Sequence, residues 1–188
     1  MTIDGWMNDT AAIVPVAHPT SALLALNNAH AAELSLLDAD RMARLIERAF
    51  LACRIGEADA LLLAFDQAAD YDSPNFLWFR DRYDRFVYVD RVVVSPAARG
   101  RGHARRLYDR LFDAARAAGH ARVLCEVNAD PPNPASDAFH AALGFVEVGA
   151  AHLAGRGKTV RYFAKTMSEQ RESSAGPDIA TDRSNDLR

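Results

Sequence analysis

YVDRVVVSPAARGRGHARRLYDRLFDAARAAG, residues 88–119, is the stretch of sequence that decides the fold. Its three consecutive valines at 92–94 end at Ser95 and Pro96, a pattern typical of a buried strand and its end. Beyond a glycine-containing turn, apolar side chains recur every three or four residues, as on one face of an amphipathic helix, and Gly119 supplies a stop. These apolar residues are Ala104, Leu107, Tyr108, Leu111, Phe112 and Ala115. The stretch therefore predicts a strand, a tight turn and a helix that fold as one unit.

The turn at 99–104 has the composition of an anion-binding loop. Gly100 and Gly102 let a ligand approach the backbone, and the first N–H groups of a helix lack partners within the helix. The helix dipole adds partial positive charge. A cationic surround is predicted from Arg99, Arg101, His103, Arg105 and Arg106. A compact strand-to-helix connection would look the same, so the turn alone has moderate specificity. It matches neither the dinucleotide-binding fingerprint nor the P-loop.

The pattern Val-x-Pro-x-x-Arg-Gly-x-Gly-x-Ala at 94–104 resembles the acyl-CoA-binding signature of the GNAT superfamily of N-acetyltransferases. In that family the amides of the turn bind the CoA diphosphate, and the end of the preceding strand pairs with the pantetheine arm. The resemblance implies that acetyl-CoA is the co-substrate and that the reaction needs no metal. The residues that it implies for CoA binding are Val92, Val93, Val94, Arg99, Gly100, Arg101, Gly102, His103 and Ala104.

A second motif, NPASDAFHAALGF at 133–145, resembles in register the Asn-x-x-Ala/Ser-x-x-x-Tyr-x-x-Leu-Gly-Phe segment of the same superfamily. The resemblance implies that Asn133 and Ser136 contact the CoA arm. The same two residues also suit a turn and a helix cap, and both roles can hold together.

Length and composition predict one globular domain. The 188 residues suffice for one core, and 49% hydrophobic with 25% charged residues is ordinary for a soluble protein. A formal net charge of -3 gives no general attraction for nucleic acid or an anionic membrane. No apolar run reaches the roughly 18 residues that would span a bilayer, and the acidic N-terminus is unlike a signal peptide. Together these two observations predict a cytoplasmic location. Cys53 and Cys125 lie in apolar runs typical of buried, unpaired thiols.

The rest of the chain reads as strands and helices between a flexible leader at 1–10 and a disordered tail at 168–188. Strands are predicted at 11–16, 49–55, 60–65, 122–128, 145–151 and 159–167. Helices are predicted after Ser21, after Asp38 or Asp40, and at 135–143.

The interval 66–85 is long for a connection and rich in aromatic residues. Because aromatic side chains can anchor a loop, the interval is predicted to be a long loop packed onto the domain, with a lid over an acceptor site as the alternative. The aromatic residues are Tyr71, Phe76, Trp78, Phe79 and Tyr83.

The order β-α-α-β-β-β-α-β-α-β-β and the two motifs together imply the GNAT fold over residues 11–167. This is an α/β (α+β) domain with a central, mixed, mostly antiparallel sheet of about seven strands flanked by helices. The resemblance implies that the sheet is splayed between strands four and five, where the CoA arm enters.

The second motif departs from the family pattern at His140, where many members have the tyrosine that protonates the leaving CoA thiolate. An imidazolium can donate that proton near neutral pH, because the reference pKa values of histidine and a thiol are about 6.5 and 8.5. His140 is therefore the predicted acid, with a packing role as its alternative. Tyr88 and Tyr108 are possible substitutes.

A base is required because an attacking amine is mostly protonated at neutral pH. Asp90 and Glu126, on the strands that flank the splay, are the predicted candidates, with salt bridging or proton removal through ordered water as alternatives. A backbone N–H near Val93 or Val94 is expected to meet the developing oxyanion.

The stretches 25–38, 70–83, 88–94 and 125–145 resemble one bacterial subgroup of predicted acetyltransferases without an assured substrate. The predicted function is transfer of an acetyl group from acetyl-CoA to an amine, by direct attack in a ternary complex. The alternative is a non-catalytic acyl-CoA-binding or sensing module on the same fold. The expected partner is a small-molecule or peptide amine, without nucleic acid or membrane, and a homodimer is left open.

Overall fold

The structure, a computed structural model, describes residues 11–167, where seven strands and five α-helices form. The strands are β1 (Ile13–Pro15), β2 (Leu51–Ile55), β3 (Ala60–Asp66), β4 (Val87–Val94), β5 (Arg122–Asp130), β6 (Val146–Leu153) and β7 (Lys158–Thr166). The helices are α1 (Ser21–Ala29), α2 (Ala39–Arg48), α3 (Pro74–Arg80), α4 (His103–Ala117) and α5 (Pro134–Ala142). The predicted leader and tail lie outside the described residues.

All seven strands form one sheet in the order β1-β2-β3-β4-β5-β7-β6. Every neighbouring pair is antiparallel except β4 and β5, which are parallel. The β4–β5 ladder has three pairs, namely Val87 with Val123, Tyr88 with Leu124, and Val89 with Cys125. Both strands then continue without pairing to each other. The predicted mixed sheet and its splay between strands four and five are confirmed.

Helices cover both faces of the sheet and bury two cores. On one face α1, α2 and α3 contribute Leu23, Met42 and Phe76, all fully buried. On the other face α4 contributes Leu107 and Leu111, on the apolar stripe predicted from the sequence. Each such side chain stabilises the fold by roughly 1.5–3 kcal/mol. No helix in residues 11–167 is long and apolar enough to cross a membrane.

Strand β4 contains a β-bulge beside the splay. Leu63 pairs with Arg91 and Ala64 with Val89, so Asp90 is the extra residue. Before the bulge the odd-numbered residues of β4 face α4, and after it the even-numbered residues do. The bulge therefore turns the Arg91 side chain to the α1 side and leaves the last even-numbered valines on the α4 side.

The interval 66–85 differs from its prediction because it contains helix α3. Pro74 occupies the first helical turn, where a missing N–H costs nothing. Phe76 and Phe79 on this helix are fully buried, and Tyr71 stacks on Phe65 with ring centroids 4.5 Å apart. The prediction of one long loop was wrong, whereas the prediction that the aromatic residues pack onto the domain is confirmed.

The caps of α1 and α2 and the environment of the two cysteines were also predicted from the sequence. Thr20, not Ser21, caps α1, while Asp38 caps α2 as predicted. Cys53 and Cys125 are buried free thiols, which confirms their predicted environment.

Candidate active site

The cleft begins where β4 and β5 part. Asp90 and Glu126 directly follow the last paired residues of the two strands, Val89 and Cys125. Because the strands are parallel and in this register, the two acidic residues lie at the same level on opposite walls. Both border one cavity of about 120 Å³. The two residues that the sequence suggested as bases are thus brought together.

Asp90 has both carboxylate oxygens occupied. The hydroxyl of Tyr71 donates to Oδ1 at 2.6 Å, and Nε of Arg91 donates to Oδ2 at 2.6 Å. Arg91 is itself buried, and its Nη1 donates to Oδ1 of Asn27 at 2.7 Å. Both carboxylate oxygens are therefore already used in hydrogen bonds to a guanidinium and a phenol. The geometry favours a structural role for Asp90.

Glu126 is only half satisfied. Its Oε1 accepts a hydrogen bond from Nδ2 of Asn75 at 2.9 Å, while the buried Oε2 has no partner of hydrogen-bond geometry among the described residues. Burial raises the pKa of Glu126 to about 7, and the nearby charge of Asp90 adds to the increase, although the nearby Tyr88 hydroxyl acts to lower the pKa of the carboxyl. A carboxyl group with a pKa near neutrality and an unpaired oxygen beside a cavity is suited to accept a proton.

His140 is buried and hydrogen-bonded through both ring nitrogens. Its Nδ1 lies 2.8 Å from the carbonyl oxygen of Ser136, and its Nε2 lies 2.7 Å from the hydroxyl of Tyr108. Since a carbonyl only accepts, Nδ1 carries the proton and Nε2 accepts from the phenol. Burial lowers the pKa of His140, so the neutral ring is favoured. This weakens the imidazolium argument made from sequence and brings Tyr108 into the site.

The glycine-rich turn offers open backbone at the start of α4. Gly100 and Gly102 have φ values of +77° and +76°, a left-handed conformation that favours glycine. A Cβ at either position would meet nothing within 4 Å, and no side chain caps the helix start. This exposed turn before a helix fits an anion such as a diphosphate.

The cationic surround is smaller than predicted. Arg99 and Arg101 are exposed beside the turn, but the imidazole of His103 is buried. Nη2 of Arg106 donates to the carbonyl oxygen of Ala11 at 2.6 Å, which directs that side chain to the N-terminal segment. At His103 the backbone, not the side chain, is the group available to a ligand.

A second cavity joins the turn to the second motif. Phe139 and His30 contribute to its wall. It is also lined by eight predicted site residues, namely Val92, Val93, Val94, Arg99, Ala104, Asn133, Ser136 and His140. Beyond Val89, β4 has no pairing with β5, so backbone groups on this edge are available to an extended ligand.

Asn133 caps the start of α5. Its Oδ1 accepts from the backbone N–H of Ser136 at 3.2 Å, so Asn133 is the helix cap. The hydroxyl of Ser136 lies 3.2 Å from Nδ1 of His140. The alternative role of Ser136 as the cap is therefore wrong, and Ser136 instead helps to fix the imidazole.

Sequence reasoning missed two residues that hold the predicted bases. Asn75 bonds Glu126 and in turn accepts from the hydroxyl of Tyr162 at 3.0 Å. Tyr71 bonds Asp90, although the sequence suggested only a packing role for it. The proline before Asn75 was a helix-start signal, but nothing local marked either contact. In residues 11–167 no group of three or more His, Cys, Asp and Glu side chains could hold a metal ion.

A mixed sheet that splays beside a glycine-rich turn and helix is the arrangement that the two sequence motifs implied. Residues 75–145 match the family model described as the acetyltransferase (GNAT) family. This match and the shared fold support membership of the GNAT superfamily.

Solved structures of this class share the fold at low sequence identity. The ribosomal-protein-S18-alanine N-acetyltransferase from Escherichia coli is 17% identical with a TM-score of 0.60, and the match covers 87% of this chain and 98% of that chain. An N-acetyltransferase from Staphylococcus aureus is 17% identical with a TM-score of 0.61, covering 85% and 99%. The protein yncA from Salmonella typhimurium, solved with its cofactor acetyl-CoA, is 21% identical with a TM-score of 0.59, covering 90% and 99%. No curated protein matches the chain in sequence.

Proposed function

We propose that this protein is an N-acetyltransferase that moves an acetyl group from acetyl-CoA to an amine by direct attack in a ternary complex. The observation that carries the proposal is Glu126, a carboxyl group with a pKa raised to about 7 and an unpaired oxygen, beside the cavity between the splayed strands. A module that only bound CoA would have no need of such a group.

Acetyl-CoA, when bound, supplies the acetyl group as a thioester. The open backbone at Gly100 and Gly102 would hold the diphosphate, with Arg99 and Arg101 as exposed cations nearby. The unpaired edge of β4 at 92–94 would hold the pantetheine arm by backbone hydrogen bonds and offer an N–H to the developing oxyanion.

Glu126 acts as the base in this proposal. Its unpaired Oε2 accepts the proton that the amine must lose as the new N–C bond forms. Asn75 orients the carboxylate by donating to the other oxygen at 2.9 Å. The ionised form of Glu126 is the active one, so activity rises as the pH increases through about 7.

The Tyr108–His140 pair supplies the proton to the leaving sulfur. We assign the donor to the pair as a unit, because one hydrogen bond of 2.7 Å couples the two rings. The Ser136 carbonyl fixes the imidazole tautomer, and both rings of the pair border the cavity between the splayed strands. Tyr108→Phe and His140→Ala should each lower turnover about 10-fold, and the double variant should lose no more than either single one. Full additivity would contradict a shared role.

Thiol release distinguishes the enzyme from the binding module. Purified protein is mixed with acetyl-CoA and a panel of amines and peptides, and free CoA thiol is measured together with acetyl-CoA binding by calorimetry. The proposal expects binding and amine-dependent thiol release. Binding without release above background would favour the non-catalytic module, and no binding would contradict both. The cytoplasmic location and a homodimer stay predictions of the sequence analysis.

A further inference from the structure

The cleft continues beyond Glu126 on the side away from the glycine-rich turn. The cavity between the splayed strands shares Glu33, Arg41, Asn75 and Glu126 with another cavity, which lies between the α1–α2 connection and the β6–β7 turn. No residue of the glycine-rich turn borders that outer cavity. An acceptor can therefore reach Glu126 through a cavity that the glycine-rich turn does not border.

Arg41 stands at the junction of these spaces. It borders the inner cavity, the outer cavity and a third one along α2. Its backbone is fixed in the first turn of α2, because its N–H donates to Oδ1 of the cap Asp38 at 2.6 Å and the next residue, Met42, is fully buried. The base of the side chain thus has a defined position, while the side chain itself is exposed.

The guanidinium of Arg41 has no ion pair or hydrogen bond within residues 11–167. Two of the acidic groups near it are engaged elsewhere, since Asp70 pairs with Arg48 at 3.2 Å and Asp90 pairs with Arg91 at 2.6 Å. Glu33 and Asp72, in contrast, line cavities together with Arg41 and form no ion pair with it. A guanidinium presents a planar fork of donors that matches a carboxylate. Arg41 therefore offers an anion-binding group at the mouth of a cleft whose inner end is Glu126.

Charges of both signs surround the outer cavity. Arg41 and Lys158 are the cations, and Glu33 and Glu126 are the anions. Nζ of Lys158 donates to the carbonyl oxygen of Ala32, so this cation is already hydrogen-bonded. Buried Oε2 of Glu126 is the unpartnered oxygen at the inner end. A ligand that carries an amine at one end and an anion at the other would complement both Glu126 and Arg41.

The size of the inner cavity limits what reaches Glu126. Its volume of about 120 Å³ is well below the roughly 300–1,000 Å³ of pockets that enclose a whole drug-sized ligand. A large acceptor therefore cannot lie wholly in the inner cavity, and the part beyond its amine would lie in the outer cavity of about 400 Å³, which both Glu126 and Arg41 border.

We propose that the acceptor is a small molecule carrying both an amine and a carboxylate, as an amino acid does, and that Arg41 binds its carboxylate while its amine lies at Glu126. This inference rests on the proposed acetyltransferase function and names the class of its acceptor. Arg41 acts on acceptor binding and takes no part in proton transfer.

The test compares each amino acid with its own carboxamide as acceptor. Thiol release is measured for the wild type, for Arg41→Gln and for the control Arg44→Gln, which changes an exposed arginine of the same helix that borders neither cavity of Glu126. Binding of the same compounds to the CoA-loaded protein is measured by calorimetry as a second readout.

We expect amino acids to be preferred over their amides, and Arg41→Gln to raise the KM for amino acids about 10- to 100-fold. The KM for acetyl-CoA and the activity with amides should not change, and Arg41→Lys should restore part of the loss. Equal use of amides and acids, a preference for peptides, or the same loss in Arg44→Gln would overturn the inference and leave the acetyltransferase function standing. No thiol release with any amine, together with no carboxylate-dependent binding, would overturn both.

Discussion

Asp90 and Glu126 begin the two walls of the cleft at the same level, yet their surroundings are opposite. Asp90 lies in a bulge and has both oxygens held, by Arg91 and by Tyr71, at 2.6 Å. Glu126 lies on a regular stretch of β5 with one oxygen held by Asn75 and the other unpaired. The first arrangement pairs a carboxylate with a guanidinium, whereas the second leaves one buried carboxyl oxygen without a hydrogen-bond partner among the described residues.

The difference gives the two walls of the splay different roles, because one wall stabilises the fold and the other borders the path of the acceptor. Arg91 links Asp90 to Asn27, whose Nδ2 donates to the carbonyl oxygen of Ser35 at 3.1 Å, so the Asp90 wall also holds the α1–α2 connection in place. Glu126 has no such link through Oε2 and borders the path of the acceptor. Removing Asp90 should therefore cost stability, and removing Glu126 should cost activity.

The largest expected effect is a loss of protein stability when Asp90 is replaced. Asp90→Ala leaves the buried Arg91 without its counter-charge, and the free energy of unfolding should fall by about 3–5 kcal/mol. Urea denaturation measures this change. The control is Asp70→Ala, which removes the exposed partner of Arg48 and should cost less than about 1 kcal/mol. Similar losses in the two variants would contradict the structural role of Asp90.

The second effect is on turnover at the Glu126 wall. Glu126→Gln keeps the shape and the Asn75 contact but removes the base, so turnover should fall about 10²- to 10³-fold with little change in acetyl-CoA affinity. The control is Glu147→Gln, an exposed carboxylate on β6 whose closest ionic contact, to Arg161, is 3.9 Å. Steady-state thiol release measures both. Unchanged turnover in Glu126→Gln would mean that ordered water, and not Glu126, accepts the proton.

The third effect is a gain in stability from the same substitution. Burial raises the pKa of Glu126 from 4.5 to about 7, so the native state binds more protons than the unfolded state between these pH values. The stability that this raised pKa contributes is therefore fully present below about pH 4.5. It is lost as the pH rises through about 7. Glu126→Gln should remove this loss and stabilise the protein by roughly 1–3 kcal/mol at pH 8, with little difference at pH 4. Denaturation at both pH values tests it, and a variant less stable at pH 8 would contradict the unpaired state of Oε2.

The smallest effect concerns the turn on the CoA side. Gly102→Leu should weaken acetyl-CoA binding about 10- to 100-fold, because the side chain would occupy the open space over the turn. It should also cost about 1 kcal/mol of stability through its left-handed backbone. Gly157→Leu is the matched control, since Gly157 is also left-handed and open but lies after β6. Calorimetry should show normal affinity in the control, and equal affinities in the two variants would contradict the diphosphate site.

The regions that could be predicted from sequence are those whose residues are close along the chain. The strand, turn and helix at 88–119 and the motif at 133–145 have fixed spacings, and the family resemblance implied a mixed sheet with its splay, whereas the strand order came from the structure. Helix α3 was missed because seven residues give too short an apolar pattern to distinguish a helix from an anchored loop. The buried face of α4 was predicted because a 15-residue helix shows its periodicity clearly.

The sequence by itself determined the strand, the glycine-rich turn and the helix, because local spacing and backbone preference specify these features. Its resemblance to the GNAT superfamily implied the fold class and the splay beside which the two carboxylates lie. Only the tertiary structure decided which carboxylate is paired. Asp90 meets Tyr71 from 19 positions away, and Asn75 meets Glu126 from 51 positions away. Tyr108 likewise reaches His140 across 32 positions. Burial and hydrogen bonding set proton affinity, and both arise only when distant segments pack together.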